Sequence, residues 1–357
     1  MKQLFFTAFF SVLLSGVFAQ IPADLFSNPD PSRLRKVDSI YHTMTFAERI
    51  GQMVFVASGT LGRSEAELKL LVEEKKVGGI IFLGGTSDDF KVTVKTLNEQ
   101  ALTGIPLLYS LDAEPSLIRY KLKEVGTFVK TNALKTPDEV DSAVTIIDQM
   151  LANVGVTVNY APVCDLTPSN EVIGHRSFGK SEDSVVLLSK AFIDKSLKDG
   201  VLPVIKHFPG HGNVEGDSHK KLVYINGPFK ELNVFKRMID LGAPSVMVGH
   251  IAVKNNKYAS EEAATCSPLI VSSLLRDSLG FQGLVITDAL NMGAVSAMEN
   301  PGLKAMVAGC DVILMPKDVN LLHETALKKL KEDDIFALQL EASVKRILLL
   351  KVYQGLL

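Results

Sequence analysis

The chain of 357 residues contains no tryptophan and only three cysteines, Cys164, Cys266 and Cys310. An odd, sparse set excludes a disulfide framework as the source of stability. Each cysteine sits beside an apolar run, which favours buried free thiols, although one pair could close in an oxidising compartment. Without tryptophan, any stacking on a flat ligand falls to 7 tyrosines and 18 phenylalanines. No basic run occurs and the formal net charge is -2, so no nucleic acid partner is expected. No repeat, low-complexity tract or linker interrupts the sequence, which argues for one globular domain. Beyond the first twenty residues, no apolar segment reaches the roughly 20 residues a membrane span needs, so stable membrane insertion is not expected. What remains, 46% hydrophobic and 22% charged, suffices for a large buried core.

The first residues, MKQLFFTAFFSVLLSGVFAQ, combine Lys2, an apolar stretch from Leu4 to Leu14 and a small-residue exit ending at Ala19. This is the pattern of a cleaved signal peptide. The expectation is a signal peptide at 1–19, cleavage after Ala19 and export to the periplasm or the extracellular space. No cysteine lies at the exit to carry a lipid. Residues 20–36 read as a lead-in segment and 37–357 as the folded domain.

Eight β-branched runs follow: Gln52–Ala57, Gly79–Leu83, Pro106–Leu111, Val156–Tyr160, Pro203–His207, Ser245–Gly249, Gly283–Thr287 and Asp311–Met315. Amphipathic stretches separate them, such as Pro137–Asn153 and Glu182–Asp199. Alternating strands and helices imply parallel βαβ units. Eight strands are the number that closes a (β/α)8 TIM-type barrel, the expected α/β fold, with an open doubly wound sheet as the alternative. In such a barrel, functional side chains gather at the C-terminal strand ends. Asp112, Asp165, Lys206, His207, His250 and Asp288 all fall there.

Three segments carry unusual chemistry. The loop Lys206-His207-Phe208-Pro209-Gly210-His211-Gly212-Asn213-Val214-Glu215-Gly216-Asp217-Ser218-His219 packs three of the seven histidines where Pro209 and three glycines forbid a regular helix. Asp217 and His219 are spaced to form a carboxylate–imidazole pair for proton transfer. In Gly283-Leu284-Val285-Ile286-Thr287-Asp288, an apolar strand delivers one carboxylate, suited to a nucleophile or to capping a following helix. In Val172-Ile173-Gly174-His175-Arg176-Ser177, Arg176 is placed either to clamp a polar ligand group or to pin loop carbonyls.

Together, KHFPGHGNVEGDSH, VIGHRSFG and GLVITDALNMGAV resemble glycoside hydrolase family 3. Within it they are most similar to the bacterial β-N-acetylglucosaminidases (β-N-acetylhexosaminidases), over about Phe46 to Tyr353. The resemblance implies Asp288 as the nucleophile of a retaining reaction through a covalent glycosyl intermediate. It implies His219 as general acid/base with Asp217 as its partner. Lys206 and His207 match residues that hold sugar hydroxyls, Arg176 one at the sugar or its acetamido group, and Asp112 the carboxylate for the distal hydroxyls. Most retaining glycosidases use two carboxylates, whereas here an imidazole takes the second role. Many members draw the acid from a second domain, for which this chain leaves little room, so the DSH loop is expected to supply it.

Arg119 is a further candidate for substrate binding, on a run that departs from the family pattern. The family's D-x-E-G-G-x-V-x-R is Asp112-Ala113-Glu114-Pro115-Ser116-Leu117-Ile118-Arg119 here, one residue shorter. Pro115 fixes φ, so this loop is expected to take a different path. The implied reaction is removal of a terminal β-linked N-acetylglucosamine, with peptidoglycan fragments as the natural substrate. A compact pocket for one sugar also tolerates the lack of tryptophan. No metal or organic cofactor is implied: His207 and His211 are four apart, but Pro209 and Gly210 break the helix that would align them as ligands. Two alternatives stay open: a non-catalytic cell-wall glycan-binding protein of the same fold, and a phosphorylase that releases the intermediate with phosphate.

Overall fold

A computed structural model of the chain describes residues 19–59, 61–101, 104–167, 172–214, 217–218 and 220–357. The expected signal peptide, Ala19 excepted, and His219 lie outside the described residues. Among those described, the strands are β1 (Val54–Ser58), β2 (Gly79–Phe82), β3 (Leu108–Leu111), β4 (Val158–Asn159), β5 (Leu202–Pro203), β6 (Ile205–Phe208), β7 (Val223–Asn226), β8 (Ser245–Val248), β9 (Ile251–Lys254), β10 (Leu284–Thr287) and β11 (Ile313–Leu314). The helices are α1 (Pro31–Thr43), α2 (Phe46–Gln52), α3 (Glu65–Glu73), α4 (Ser87–Gln100), α5 (Ile118–Lys121), α6 (Pro137–Val154), α7 (Glu182–Lys198), α8 (Leu232–Asp240), α9 (Pro301–Ala308), α10 (Val319–Glu332) and α11 (Asp334–Tyr353). Leu269–Ser278 is wound as a π-helix.

Local signals set many of these boundaries. Thr45, Ser64, Thr86 and Thr136 each accept from the backbone N–H three residues on, and the acidic side chain there bonds back to the capping residue. Each such box satisfies backbone donors that a helix start leaves open. Strands β1, β2, β3, β8 and β10 are buried along their whole length. Their continuous apolar character is that of a parallel sheet covered on both faces. The lead-in is bound to the body: Ile21 and Leu25 are buried, and the Ile21 amide donates to the Leu197 carbonyl at 2.9 Å.

The closed eight-strand (β/α)8 barrel expected from the sequence is not what forms. The strands divide into a six-stranded sheet, ordered β11-β1-β2-β3-β4-β5, and a three-stranded sheet, β10-β8-β6, with β7 and β9 as a separate parallel pair. The result is a curled parallel half-barrel with flanking helices. The seams have local causes. At the first, Pro162 and Pro203 lack the amide hydrogens a ladder needs, and the Val204 amide is shared between the carbonyls of Asn159 and Ala161, at 2.9 Å each. The run expected as one strand at Pro203–His207 therefore pairs with β4 on one side of Val204 and with β8 on the other. Only an isolated bridge, Val163 to Lys206, crosses between the sheets there. At the second seam, the Asp311 carboxylate takes the Val285 amide at 2.7 Å, and a single bridge joins Ile286 to Val312. Arg276 and Arg346 hold Asp311 from the other side, at 2.6 and 3.0 Å. The Asp311 side chain thus supplements a short stretch of backbone pairing, in which the Val312 amide donates to the Val285 carbonyl at 3.1 Å and the Thr287 amide to the Val312 carbonyl at 3.0 Å.

Candidate active site

Because the paired strands run parallel, their C-terminal ends share one rim. A cavity of about 160 Å³ opens there, and its walls include Asp112, Arg176, Lys206, His207, His211, Ser218 and Asp288. Residues from four stretches of the sequence are thus brought together.

Asp112 follows β3 on a loop pinned by Asn159 of β4. The Asn159 side chain accepts from the Ala113 amide at 2.9 Å and donates to its carbonyl at 3.3 Å. Lys206, buried in β6, places its ammonium 2.7 Å from both Asp112 and Glu114. Arg176 forks onto Glu114 with two bonds, at 2.8 and 2.9 Å, the bidentate geometry a guanidinium favours. Lys121 stands 3.6 Å from Asp112. Two carboxylates and three cations therefore form one network, buried at Lys206 and Glu114 and partly exposed at Asp112, Arg176 and Lys121. Burial alone would raise the carboxyl pKa values, but the cations outweigh it. Asp112 is held well below the usual carboxylate range by Lys206 and then Lys121. Glu114 is lowered to about 2 by Arg176 and Lys206. Burial pushes Lys206 and Arg176 down, and their carboxylates more than reverse this, so both stay charged.

The departure from the family run has a structural use. The Ser116 hydroxyl donates to the His175 carbonyl at 2.8 Å and accepts from the Thr131 amide at 2.9 Å. It fastens the shortened loop to the segment that carries Arg176. Arg119 is not brought to this group: it is exposed on α5, with its guanidinium 4.4 Å from the Tyr120 ring centroid.

His207 meets the fully buried Asp165, whose Oδ2 lies 2.6 Å from Nδ1 and also accepts the His207 amide at 3.1 Å. With the ionised carboxylate as acceptor, Nδ1 carries the proton and Nε2 is the nitrogen available to a ligand. Burial raises the Asp165 pKa, but His207 and His211 bring it below its ordinary value. The Lys206–His207 peptide is cis.

Asp288 leaves the end of β10. Its amide donates to the Val248 carbonyl at 2.9 Å, and its Oδ1 accepts from the Ala289 amide at 2.8 Å. No helix follows directly: α9 starts thirteen residues later with Asn300 as its cap, so Asp288 is not a helix cap. Burial works against its charge, yet His250 foremost, then His207 and Lys206, hold its pKa below the ordinary value. His250 is itself fixed, with Nδ1 2.9 Å from the Thr265 hydroxyl and Nε2 3.0 Å from the Ala289 carbonyl. Asp288 is therefore an ionised carboxylate in a positive, water-poor corner, as a nucleophile requires.

Farther along the histidine loop, His211 and Ser218 also line the cavity. His211 and Ser218 share a hydrogen bond of 2.9 Å, and the Ala294 amide donates to the Ser218 carbonyl at 3.3 Å. Val214 packs on Val223 and Ile251 of the β7–β9 pair. Asp217 is partly exposed, and Lys220 stands 3.8 Å from its carboxylate. A larger open groove of about 470 Å³ lies beside this loop, along Pro209, Tyr224 and Lys230. Among its described lining residues the only acid, Glu231, is buried and engaged with backbone amides, so the smaller cavity is the candidate site. Among the described residues, no group of three or more His, Cys, Asp or Glu side chains is gathered to hold a metal ion. None of the helices among them is long and apolar enough to cross a membrane.

Sequence reading assigned no role to Glu114, Asp165, Ser218 or Glu231. Asp165 stood at a strand end and Glu114 beside Asp112, the two signals that were there to use. Nothing local marks Glu231, whose partners lie at 166 and 212–213.

Residues 45–350 match the family described as the glycosyl hydrolase family 3 N terminal domain, and the chain belongs to that family. Among its relatives is Beta-hexosaminidase A of Pseudoalteromonas piscicida, 30% identical over 283 residues, which are 70% of this chain and 47% of that protein. Beta-hexosaminidase LpqI of Mycobacterium tuberculosis is 28% identical over 354 residues, covering 92% of this chain and 89% of that one. A family 3 beta-N-acetylglucosaminidase from a Paenibacillus species superposes with a TM-score of 0.79 at 29% identity, over 88% of this chain and 63% of that one. The chain thus spans about half the length of the Pseudoalteromonas relative.

Proposed function

We propose that this chain is a retaining glycosidase that removes terminal β-linked N-acetylglucosamine, with Asp288 as nucleophile. The observation that carries the reading is the cavity itself. It is lined by an ionised Asp288 together with Asp112, Lys206 and Arg176, which Glu114 behind them ties into one network suited to sugar hydroxyls and an acetamido group. The names of the relatives support the same sugar. In the first step Asp288 attacks the anomeric carbon, while the His219 imidazolium, oriented by Asp217, gives its proton to the departing oxygen. In the second step neutral His219 takes a proton from water, whose oxygen attacks the same carbon and frees Asp288. Two inversions return the original configuration. His207, through Nε2, and Lys206 bind hydroxyls.

The amino-terminal pattern supports export, with peptidoglycan fragments as the natural substrate. A mature amino terminus at Gln20 in protein recovered outside the cytoplasm is the check on that part. The reaction is tested by incubating the mature protein with an aryl β-N-acetylglucosaminide, with and without phosphate, and following the anomer first formed by NMR. Release of the β-anomer of N-acetylglucosamine is expected in both buffers. Release of the α-anomer would sink the covalent mechanism. A sugar phosphate formed only with phosphate would replace hydrolysis by phosphorolysis, and binding without turnover would leave a glycan-binding protein.

A further inference from the structure

Glu231 stands at the start of α8, 2% exposed, and its carboxylate faces four N–H donors. Oε2 accepts from the Leu166 amide at 2.9 Å and the Gly212 amide at 3.3 Å. Oε1 accepts from the Asn213 amide at 2.8 Å and its side-chain Nδ2 at 2.7 Å. The loop after β4 and the first half of the histidine loop thus converge on one acid.

Two glycines of that loop make the convergence possible. A Cβ on Gly210, whose φ is +124°, would come within 2.6 Å of the Glu231 Cβ. One on Gly212 would lie 1.6 Å from the Leu166 carbonyl oxygen and 3.1 Å from Glu231 Oε2. Only glycine lets the backbone approach this closely. A buried carboxylate is costly unless fully hydrogen-bonded. Burial and the neighbouring Asp165 push the Glu231 pKa to about 7, against the pull of these donors. The site it supports is one step away: Asp165, adjacent to Leu166, accepts from His207 and from the His211 amide at 2.7 Å.

We infer that Glu231 is a positioning residue that holds Gly212 and Asn213 against the loop after β4, and with them the neighbouring His211, whose ring bonds Ser218 at the cavity, so that the acid step the glycosidase reading gives to this loop depends on it. The inference rests on the glycosidase reading above. It assigns Glu231 no contact with substrate.

Glu231→Gln is the direct test, because it keeps the shape and replaces one acceptor by an NH2. With its NH2 toward Leu166 and Gly212 two backbone donors face a donor, and turned the other way the Asn213 backbone amide does, even if the Asn213 side chain flips. Two readouts are taken together. Hydrogen exchange of the peptide segment 205–222 is expected to quicken in the variant, with the segments of β1, β2 and β10 unchanged. For kcat/KM, which reports the first chemical step, about a tenfold or greater loss is expected on an alkyl glycoside that needs acid assistance. The loss is expected to stay within about threefold on a dinitrophenyl glycoside whose leaving group does not need it. Asn213→Ala removes one donor only and should move both readouts less, in the same direction. It serves as the test if Glu231→Gln does not fold. Unchanged exchange over 205–222 would overturn the inference, as would equal losses on the two substrates. If the wild type turned over neither substrate, the glycosidase reading would fail along with the catalytic half of this inference. The exchange comparison would still decide whether Glu231 holds the loop.

Discussion

Asp288→Ala is expected to lower kcat/KM on an aryl β-N-acetylglucosaminide by about 10⁴-fold or more, the scale on which a removed nucleophile costs an enzyme. The fold should survive. The backbone at 288 is held by its own amide on the Val248 carbonyl, and the side chain accepts only the adjacent Ala289 amide. His250 and its neighbours outweigh burial and favour the charge, so only a modest loss of stability is expected on substitution. The vacated space gives the experiment a second arm. A small anion such as azide, added to Asp288→Ala with a good leaving group in place, should attack the anomeric carbon from the side Asp288 occupied. The product would be the α-glycosyl azide, with inverted configuration. A β-configured azide would mean that the anion intercepts an intermediate formed on another nucleophile. An Asp288→Ala enzyme that kept its kcat and lost only affinity would place Asp288 among the binding residues.

Much of this site was readable because its residues sit at the ends of β-branched runs, and parallel strands bring their ends to one rim whatever the sheet does elsewhere. Asp112, Lys206, His207 and Asp288 needed only that. Closure of the sheet was not readable. It depends on backbone partners at two seams, where prolines at 162 and 203 and the carboxylate of Asp311 interrupt the ladder. A count of eight runs contains no such information. The supporting residues were hidden for a related reason. Glu231 is separated from Leu166 by 65 positions, and Glu114 from Arg176 by 62. Neither spacing has a local period. Ser116 stands where the family pattern has a glycine, and its hydroxyl ties the Asp112 loop to the Arg176 segment. Arg119 illustrates the converse, a match in residue type whose helix points it toward Tyr120.

Lys206→Met should be the most destabilising single change in the cavity. Methionine keeps most of the apolar stem and deletes the ammonium. Two carboxylates, each 2.7 Å from that ammonium, then face each other with less charge between them. Breaking a buried ion network by removing one partner costs about 3–5 kcal/mol, because a charge stays buried without compensation. Arg176 still holds Glu114 at 2.8 Å and Lys121 still stands 3.6 Å from Asp112, so the lower half of that range is expected. The pH dependence separates charge from packing. In the wild type the Asp112 and Glu114 pKa values are depressed, Glu114 to about 2. A depressed carboxyl contributes stability that is present above its unfolded pKa and lost as pH falls through the folded one. For the wild type that window runs from about pH 5 downward. In Lys206→Met both folded pKa values move up toward the unfolded ones, so less stability remains to be lost on acidification. The difference between the two proteins should therefore be largest near about pH 7 and shrink toward about pH 3, as read from urea unfolding midpoints at each pH. A difference that stayed constant across that range would trace the loss to the packing of the Lys206 stem. The Asp112–Glu114 pair would then be stable without its ammonium, and the network would owe its presence to sugar binding alone.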